Sequence, residues 1–196
     1  IDFANPTNIG YSAGPEYNGY YKYWAHRDML AAASVIDKVE ARFAEVFGRK
    51  YTGMLESYRA GDADFVIVAL GSAAGLVRGV VDELRAAGKR VGMVRIRYMR
   101  PFPTEEIANA LMRARAVAVL EKDISFGAEG TVFTNVNSAL QRYGVTTPTF
   151  NFIGGLGGAD ISAAQVEEIF AAMQDCLDGF GELEPVNFIG IDEQGR

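Results

Sequence analysis

The chain has 196 residues, of which 49% are hydrophobic, and its 19 basic and 25 acidic side chains give a formal net charge of −6. This composition, with a mean hydropathy of +0.03, permits a sizeable buried core and argues against a basic surface for nucleic acid or anionic lipid. No apolar run in the sequence approaches the roughly 18 residues that a membrane-spanning helix needs. We therefore expect neither a nucleic-acid partner nor a membrane partner.

Residues 1–24 are rich in tyrosine, glycine and proline and contain few aliphatic side chains, which is typical of a linker or arm rather than a packed element. From Ala25 the apolar residues recur at steps of three and four, which predicts a helix over 25–47 that ends at Gly48. The predicted domain covers 25–196, with this helix leading into it. The opening IDFANPTNIG has no signal-peptide character and no initiator Met, so we expect a processed chain or a fragment.

The stretch DFVIVALGSAAG organises the rest of the chain. Phe65 to Leu70 are apolar without interruption, which is typical of a strand buried on both faces of a parallel sheet. The small residues Gly71 and Ser72 follow, and apolar residues then recur at helical spacing until Gly88. This order of strand, turn and helix predicts the first half of a βαβ unit.

The remaining elements continue the alternation. Further strands are predicted at 90–97, 116–121 and 149–153, with Tyr51–Tyr58 as a possible edge strand and the residues after Gly179 as a tail. Helices are predicted after Pro103, after Gly130 and from the capping box of Ser162 and Gln165. Alternation of this kind predicts a three-layer α/β/α domain with a mostly parallel sheet.

Three glycine-rich turns follow predicted strands, at 71–75, 127–130 and 154–158. Their backbone N–H groups would be able to face an anion, but small residues also suit a tight βα turn, and simple packing is the favoured interpretation. None of the three is a phosphate-binding Walker loop, because no Gly-Lys-Ser/Thr sequence is present.

Charged side chains at two strand ends are also weak evidence of chemistry. The arginines at the end of the second strand would bind an anion or pair with nearby acids, and pairing is favoured; they are Arg95, Arg97 and Arg100. Glu121 and Asp123 end the third strand, where α/β sheets place functional carboxylates. Without a partner histidine, lysine or metal-ligand spacing, capping or interface roles are favoured for both.

Cys176 and His26 are the only residues of their types, so a disulfide within the chain is impossible and a cytoplasmic location is expected. An iron–sulfur cluster needs about four thiolates, so the chain alone cannot hold one. We expect a buried structural role for Cys176, and for His26 a surface or hydrogen-bonded position rather than a role as a ligand.

Four motifs in order resemble the alpha subunit of pyruvate (2-oxoacid):ferredoxin oxidoreductase, in its C-terminal part: a transketolase C-terminal-like domain and the linker before it. They are ALGS (69–72), VRIRYMRPFP (94–103), VLEKDISFGAEG (119–130) and NFIGGLGG (151–158), preceded by a linker-like segment at 5–23. The resemblance implies a mostly parallel five-stranded sheet of order 1-3-2-4-5, with an antiparallel first strand supplied by Tyr51–Tyr58. It also implies a role in an oligomeric, multi-subunit complex that uses thiamine diphosphate, Mg, iron–sulfur clusters, coenzyme A and ferredoxin.

Within that family, the cofactor-handling residues lie in the first domain and in other subunits, so we assign this chain no catalytic residue, no metal ligand and no cofactor of its own. We expect a supporting domain that is inactive alone. The implied strand order places a candidate crevice where the topology reverses, lined by Gly71, Ser72, Gly75, Asp123, Gly127 and Gly130. Two alternatives remain open: a stand-alone module that binds a small ligand or nucleotide, and a purely structural dimerisation domain.

Overall fold

The computed structural model describes residues 2–8, 10 and 12–191. The chain divides into two compact units, Ile1–Lys50 and Tyr51–Arg196. In chain order the elements are α1 (Pro15–Phe47), β1 (Leu55–Tyr58), β2 (Phe65–Leu70), α2 (Ala73–Ala86), β3 (Val91–Ile96), α3 (Thr104–Leu111), β4 (Ala116–Glu121), α4 (Thr131–Arg142), β5 (Thr149–Ile153), a 3-10 turn (Leu156–Gly158), α5 (Ala163–Asp178) and β6 (Val186–Phe188). Among the described residues, none of the helices has both the length and the apolarity needed to cross a bilayer.

The first unit is dominated by α1, which begins ten residues earlier than the sequence predicted. Pro15 occupies the first helical position, where its fixed φ is preorganised for a helix and its missing N–H costs nothing. The aromatic residues that suggested a linker contact one another along the helix surface at a spacing of four: ring centroids lie 6.5 Å apart for Tyr17 and Tyr21 and 6.1 Å apart for Tyr20 and Trp24. Tyr11, also part of the predicted arm, lies outside the described residues.

No residue of Pro15–Phe47 is buried, although the helix has apolar side chains at helical spacing. The predicted end is confirmed, because Gly48 adopts a left-handed conformation at φ +67° and donates its N–H to the carbonyl oxygen of Ala44 at 2.9 Å. The exposed aromatic surface of this helix, formed by Tyr17, Tyr20, Tyr21, Tyr23 and Trp24, is called the aromatic surface below.

In the second unit, the described strands form one six-stranded sheet in the order β1-β3-β2-β4-β5-β6. Only β1 is antiparallel to its neighbour, and the other pairs are parallel. The predicted α/β class, the antiparallel first strand and the order of the first five strands are confirmed.

The prediction of five strands was wrong by one, because part of the expected tail pairs with the sheet. β6 lies parallel to β5, with Asn187 opposite Phe152. The Asn187 side chain donates to the carbonyl oxygen of Asn151 at 3.1 Å, and Ile189 N–H donates to Ile153 at 2.9 Å. A strand of three residues is too short for a periodic pattern, so its pairing partners define it rather than its sequence.

Helices cover both faces of the sheet. Alternate residues of β2 point into different layers: Phe65, Ile67 and Ala69 pack with α2 and α5, whereas Val66 and Val68 pack with α3 and α4. The side chains from Val66 to Ala69 are fully buried. This two-sided burial explains the uninterrupted apolar sequence of the strand.

Candidate functional site

The predicted crevice lies at the carboxyl ends of β2 and β4, which are neighbouring parallel strands with Ala69 opposite Leu120. The chain leaves β2 toward β3 on one side and leaves β4 toward β5 on the other, so the topology reverses between them. Ligands of open α/β sheets generally bind at such a switch point. The two predicted glycine turns therefore follow adjacent strands, and the space between them is called the switch-point crevice.

The β2 side of this crevice is open. Gly71 has φ +56°, and a Cβ added at Gly71 or Gly75 would meet no other heavy atom within 4 Å. Ser72 is exposed and makes no side-chain hydrogen bond to the first turn of α2. The first turn of α2 thus presents an uncrowded backbone surface.

The β4 side is closed by a carboxylate of the chain itself. Glu121 is only 4% exposed, and it accepts hydrogen bonds from the backbone N–H groups of Val132 (2.7 Å) and Phe133 (3.1 Å) in the first turn of α4. An N-terminal helix turn carries unpaired N–H groups and a partial positive charge, so a carboxylate is favourable there. Glu121 therefore satisfies two N–H donors that the first turn of α4 would otherwise offer to an external anion.

Asn151 on the next strand completes this arrangement and is fully buried. Its Nδ2 donates to Oε1 of Glu121 at 2.9 Å and to the carbonyl oxygen of Val119 at 3.4 Å, while its Oδ1 accepts from the N–H of Gly130 at 2.8 Å. Glu121, Asn151 and the N–H donors of Gly130, Val132 and Phe133 are called the Glu121–Asn151 network. The network links β4, β5 and α4 beneath one wall of the crevice.

Gly130 is required at its position by space rather than by backbone conformation. Its φ is −70°, which any residue adopts, but an added Cβ would collide with the carboxylate of Glu121. Gly127, in contrast, has φ +80° and open space around it. Two glycines of one turn thus serve different purposes.

Burial raises the pKa of the Glu121 carboxyl above its ordinary value. The hydrogen bonds from Val132, Phe133 and Asn151 oppose this pKa shift by stabilising the ionised form, and the nearby Asp123 adds to it. The network therefore places a carboxyl with increased proton affinity under the crevice. Because none of its described partners is a nucleophile, a structural role is the one that this geometry supports.

The rim of the crevice contains two further side chains. Asp123 accepts a hydrogen bond from the hydroxyl of Thr131 at 2.6 Å, which anchors the loop to the start of α4. Phe126 is 96% exposed in the same loop. A phenyl ring this exposed is available to contact another protein surface.

Comparison with known proteins identifies the family of the chain. Residues 63–166, just over half of its length, match the family described as pyruvate:ferredoxin oxidoreductase core domain II. The chain belongs to this family. The resemblance that the four motifs indicated is confirmed.

Curated relatives of this core domain II chain include three subunits of different enzymes. Pyruvate synthase subunit PorA of Methanothermobacter thermautotrophicus is 40% identical over 196 residues, which are 100% of the chain and 48% of the relative. Ketoisovalerate oxidoreductase subunit VorA of Pyrococcus abyssi is 37% identical over 183 residues (93% and 46%). The alpha subunit of NADH-dependent phenylglyoxylate dehydrogenase from Aromatoleum evansii is 35% identical over 175 residues (88% and 42%). The chain spans about half the length of these relatives.

A solved structure supports the fold assignment. A split-gene transketolase superimposes with a TM-score of 0.50 at 17% identity over 66% of the core domain II chain and 43% of the transketolase chain. That structure is described as an inactive beta4 tetramer, where beta4 is a subunit composition and not the strand β4. The transketolase C-terminal-like fold is therefore confirmed at the level of architecture.

The third glycine turn of the core domain II chain is closely packed. A Cβ added at Gly154 would clash with the side chain of Ile189, which follows β6. Gly155 is left-handed at φ +70°, where a Cβ would also meet Lys122. These contacts support the packing interpretation of the 154–158 turn.

The three arginines at the end of β3 and just after it do not converge on one point. Arg95 lies 3.7 Å from Glu56, as pairing with an acid predicted, and Arg97 stacks over the ring of Tyr51 with 4.8 Å to its centroid. Arg100 donates to the neighbouring carbonyl of Met99. The contacts give no support to an anion site there.

The described residues include no group of three or more His, Cys, Asp or Glu side chains placed to hold a metal ion. Cys176, predicted to be buried, is only half-buried on α5. His26 lies exposed on α1, as expected.

The roles of Asn151 and of the restricted space at Gly130 were not predicted from the sequence. A signal was present in TFNFI (149–153), where a single amide interrupts an apolar strand. A polar side chain inside a strand buried on both faces needs hydrogen-bond partners. The sequence shows that need but does not identify Glu121 or Gly130 as the partners.

Proposed function

We propose that this chain is a supporting, non-catalytic domain of a 2-oxoacid:ferredoxin oxidoreductase, and that it holds subunits and domains together around a thiamine site. The proposed reaction converts pyruvate, coenzyme A and oxidised ferredoxin to acetyl-CoA, CO2 and reduced ferredoxin. The observation that carries this proposal is the core domain II match together with relatives named pyruvate synthase subunit PorA.

Pyruvate is the favoured substrate because the relative at 40% identity over the whole chain is a pyruvate synthase subunit. Relatives at 37% and 35% identity belong to enzymes named for ketoisovalerate and phenylglyoxylate. The same domain thus occurs in enzymes named for different 2-oxo acids, which supports the proposal that substrate specificity is determined elsewhere in the complex.

The proposed cofactors are thiamine diphosphate with Mg and iron–sulfur clusters, all held by other parts of the complex. The donor set described here does not fit them: Cys176 is a single thiolate, and no described cluster of acids, histidine or cysteine suits a metal. The proposed partners are the other subunits of an oligomer, with ferredoxin and coenzyme A reached through the complex, in the cytoplasm.

For the switch-point crevice we propose a role in packing and positioning rather than in phosphate binding. The ionised form of Glu121 adds negative charge beneath the β4 side, and its oxygens occupy two α4 donors. A phosphate entering there would meet a like charge and fewer free N–H groups. The candidate residues Gly71, Ser72, Gly75, Asp123, Gly127 and Gly130 would then shape a contact surface.

Reconstitution of the complex tests the proposal. We expect the isolated chain to show no iron–sulfur absorbance and no dye reduction with pyruvate, whereas the complex that contains it oxidises pyruvate in a coenzyme A-dependent reaction. Activity of the isolated chain would overturn the supporting role. Full assembly and activity of a complex lacking residues 51–196 would overturn it as well.

Two measurements distinguish the alternatives. Native mass spectrometry of the purified complex separates a bound subunit or domain from a stand-alone ligand-binding module and from a simple dimer of this chain. Values of kcat/KM for pyruvate, ketoisovalerate and phenylglyoxylate then test the substrate, and we expect the largest value for pyruvate.

A further inference from the structure

A second concave site lies at the opposite end of the central strands, where β2, β3 and β4 begin. It is a cleft of about 770 Å³ between the C-terminal end of α2 and the outer side of α5. The clefts that bind ligands commonly have volumes of about 300–1,000 Å³. This site, called the amino-end groove, is distinct from the switch-point crevice.

The groove combines an apolar floor with a long helical wall. Phe65, Leu84, Val91 and Phe170 contribute to the floor. The wall is formed by one face of α5 from Ala164 to Asp175, which at 1.5 Å per residue is about 17 Å long. An extended polypeptide of about five residues has this length.

The basic side chains of the groove already have partners. Arg90 contacts Asp64, another lining residue, at 2.8 Å. Arg115 lies 3.6 Å from Asp178 and over the ring of Phe65, with 5.6 Å to the ring centroid. The charge of both arginines is therefore largely compensated within the domain.

The acidic side chains of the α5 wall are different. Glu167, Glu168 and Asp175 line the groove, and within the described part of the chain none of them lies in an ion pair. Lys89 is the lining cation that has no ion-pair partner by the same criterion. Three uncompensated carboxylates face one uncompensated ammonium, so the groove favours a cationic occupant.

We propose that the amino-end groove binds an extended segment of a partner polypeptide in which an arginine or lysine stands between apolar side chains. The apolar floor would bury the flanking side chains, and the α5 carboxylates would receive the cation. A polypeptide fits better than a compact organic cation, because the acidic positions are spread along the helix rather than gathered around one point.

Three blocked pentapeptides test this with the full chain: Ala-Leu-Arg-Leu-Ala, the same peptide with citrulline for arginine, and the same peptide with glutamate. Citrulline keeps the shape of arginine but has no charge. Amide chemical shifts report where each peptide binds. We expect the arginine peptide to shift the amides of Ala171 and Gln174 and to bind about three- to ten-fold more tightly than the citrulline peptide, since partly exposed ion pairs contribute modestly. No shifts are expected with the glutamate peptide.

Matched variants assign the preference to the groove. Glu167→Gln with Glu168→Gln should remove most of the difference between arginine and citrulline, whereas Glu105→Gln with Glu106→Gln, two exposed acids on α3, should leave it unchanged. Equal affinity of the three peptides, absence of binding, or shifts confined to other residues would each overturn the proposal.

Steric blocking gives an independent test. Ala171 is exposed and lines the groove, so Ala171→Trp should abolish binding of the arginine peptide without disturbing the core. Ala163→Trp, at an exposed position on the same helix outside the lining, is the control. Equal thermal midpoints would show that both variants fold, and undiminished binding by Ala171→Trp would exclude this site.

Discussion

The side-chain amide of Asn151 donates to the carboxylate of Glu121 at 2.9 Å, and both side chains are buried in adjacent strands. Each polar group is satisfied by the other and by the first turn of α4. Burial of each side chain is favourable only while the other is present, because loss of one partner leaves buried polar atoms without hydrogen bonds. It ties the turn at 127–130 to the centre of the sheet.

The first prediction concerns pH. The folded-state pKa of Glu121 is raised, so the folded chain retains a proton that the unfolded chain, with a pKa of about 4.3, has released. The stability from neutral Glu121 is fully present below about pH 4 and decreases as pH rises through the raised pKa. In urea titrations across pH, the stability of the wild type relative to Glu121→Gln should therefore fall as pH rises and then level off.

Parallel stability curves for the wild type and Glu121→Gln would contradict this interpretation of the buried carboxyl. Glu106→Gln serves as the control, because it removes a carboxylate from an exposed position on α3. Any pH dependence that this control shares with Glu121→Gln is due to the general charge balance.

The second prediction compares two glycines. Gly130→Ala should lower the free energy of unfolding by about 1–3 kcal/mol, because its Cβ has no room beside Glu121. Gly75→Ala, in α2 with open space around it, should raise the free energy by about 0.4–1 kcal/mol through helix propensity and a less flexible unfolded chain. Chemical denaturation of both variants checks this, and equal effects of the same sign would contradict it.

The third prediction concerns the backbone at Gly71, which has φ +56° with no heavy atom near its Cβ position. Gly71→Val should cost about 1–3 kcal/mol, because a β-branched residue is strained at positive φ. Gly71→Asn should cost clearly less, since asparagine tolerates the left-handed region. If both variants cost the same, the loss has a cause other than backbone conformation.

The fourth prediction uses Trp24, the only tryptophan of the chain, which is 48% exposed on the aromatic surface. If this surface packs against another part of the complex, assembly should remove water from the indole and shift its emission to shorter wavelength. The difference spectrum between complexes with the wild-type chain and with Trp24→Phe isolates this signal. An emission maximum identical in the isolated chain and in the complex would exclude Trp24 from the interface.

Much of the second unit was predictable because its signals are local. The uninterrupted apolar sequence of Phe65–Leu70 indicates a strand buried on both faces, as the structure shows. Ser162 and Gln165 form the capping box that the sequence indicated. The strand order came from the family resemblance rather than from periodicity. Local pattern and family resemblance together were sufficient for the architecture.

What escaped prediction depends on distant residues. A capping role was among those favoured for Glu121, but its partners were not predicted: they are Asn151, 30 positions later, and the start of α4. β6 is defined by its pairing with β5. The early start of α1 was not predicted because the aromatic composition of Tyr17 to Trp24 is typical of a linker, although these residues lie on the surface of a helix. The groove acids also look like an ordinary solvated helix face until the fold places apolar strand ends beside them.

The two outermost strands of the sheet limit how the protein can assemble. β1 has four residues, β6 has three, and Pro185, which has no N–H to donate, comes directly before β6. Strands this short, one of them directly preceded by proline, are poor templates for backbone pairing with another chain. A continuous sheet shared between two chains is therefore not expected. Contacts with another chain would then depend on side-chain chemistry, which evolution is able to alter one residue at a time.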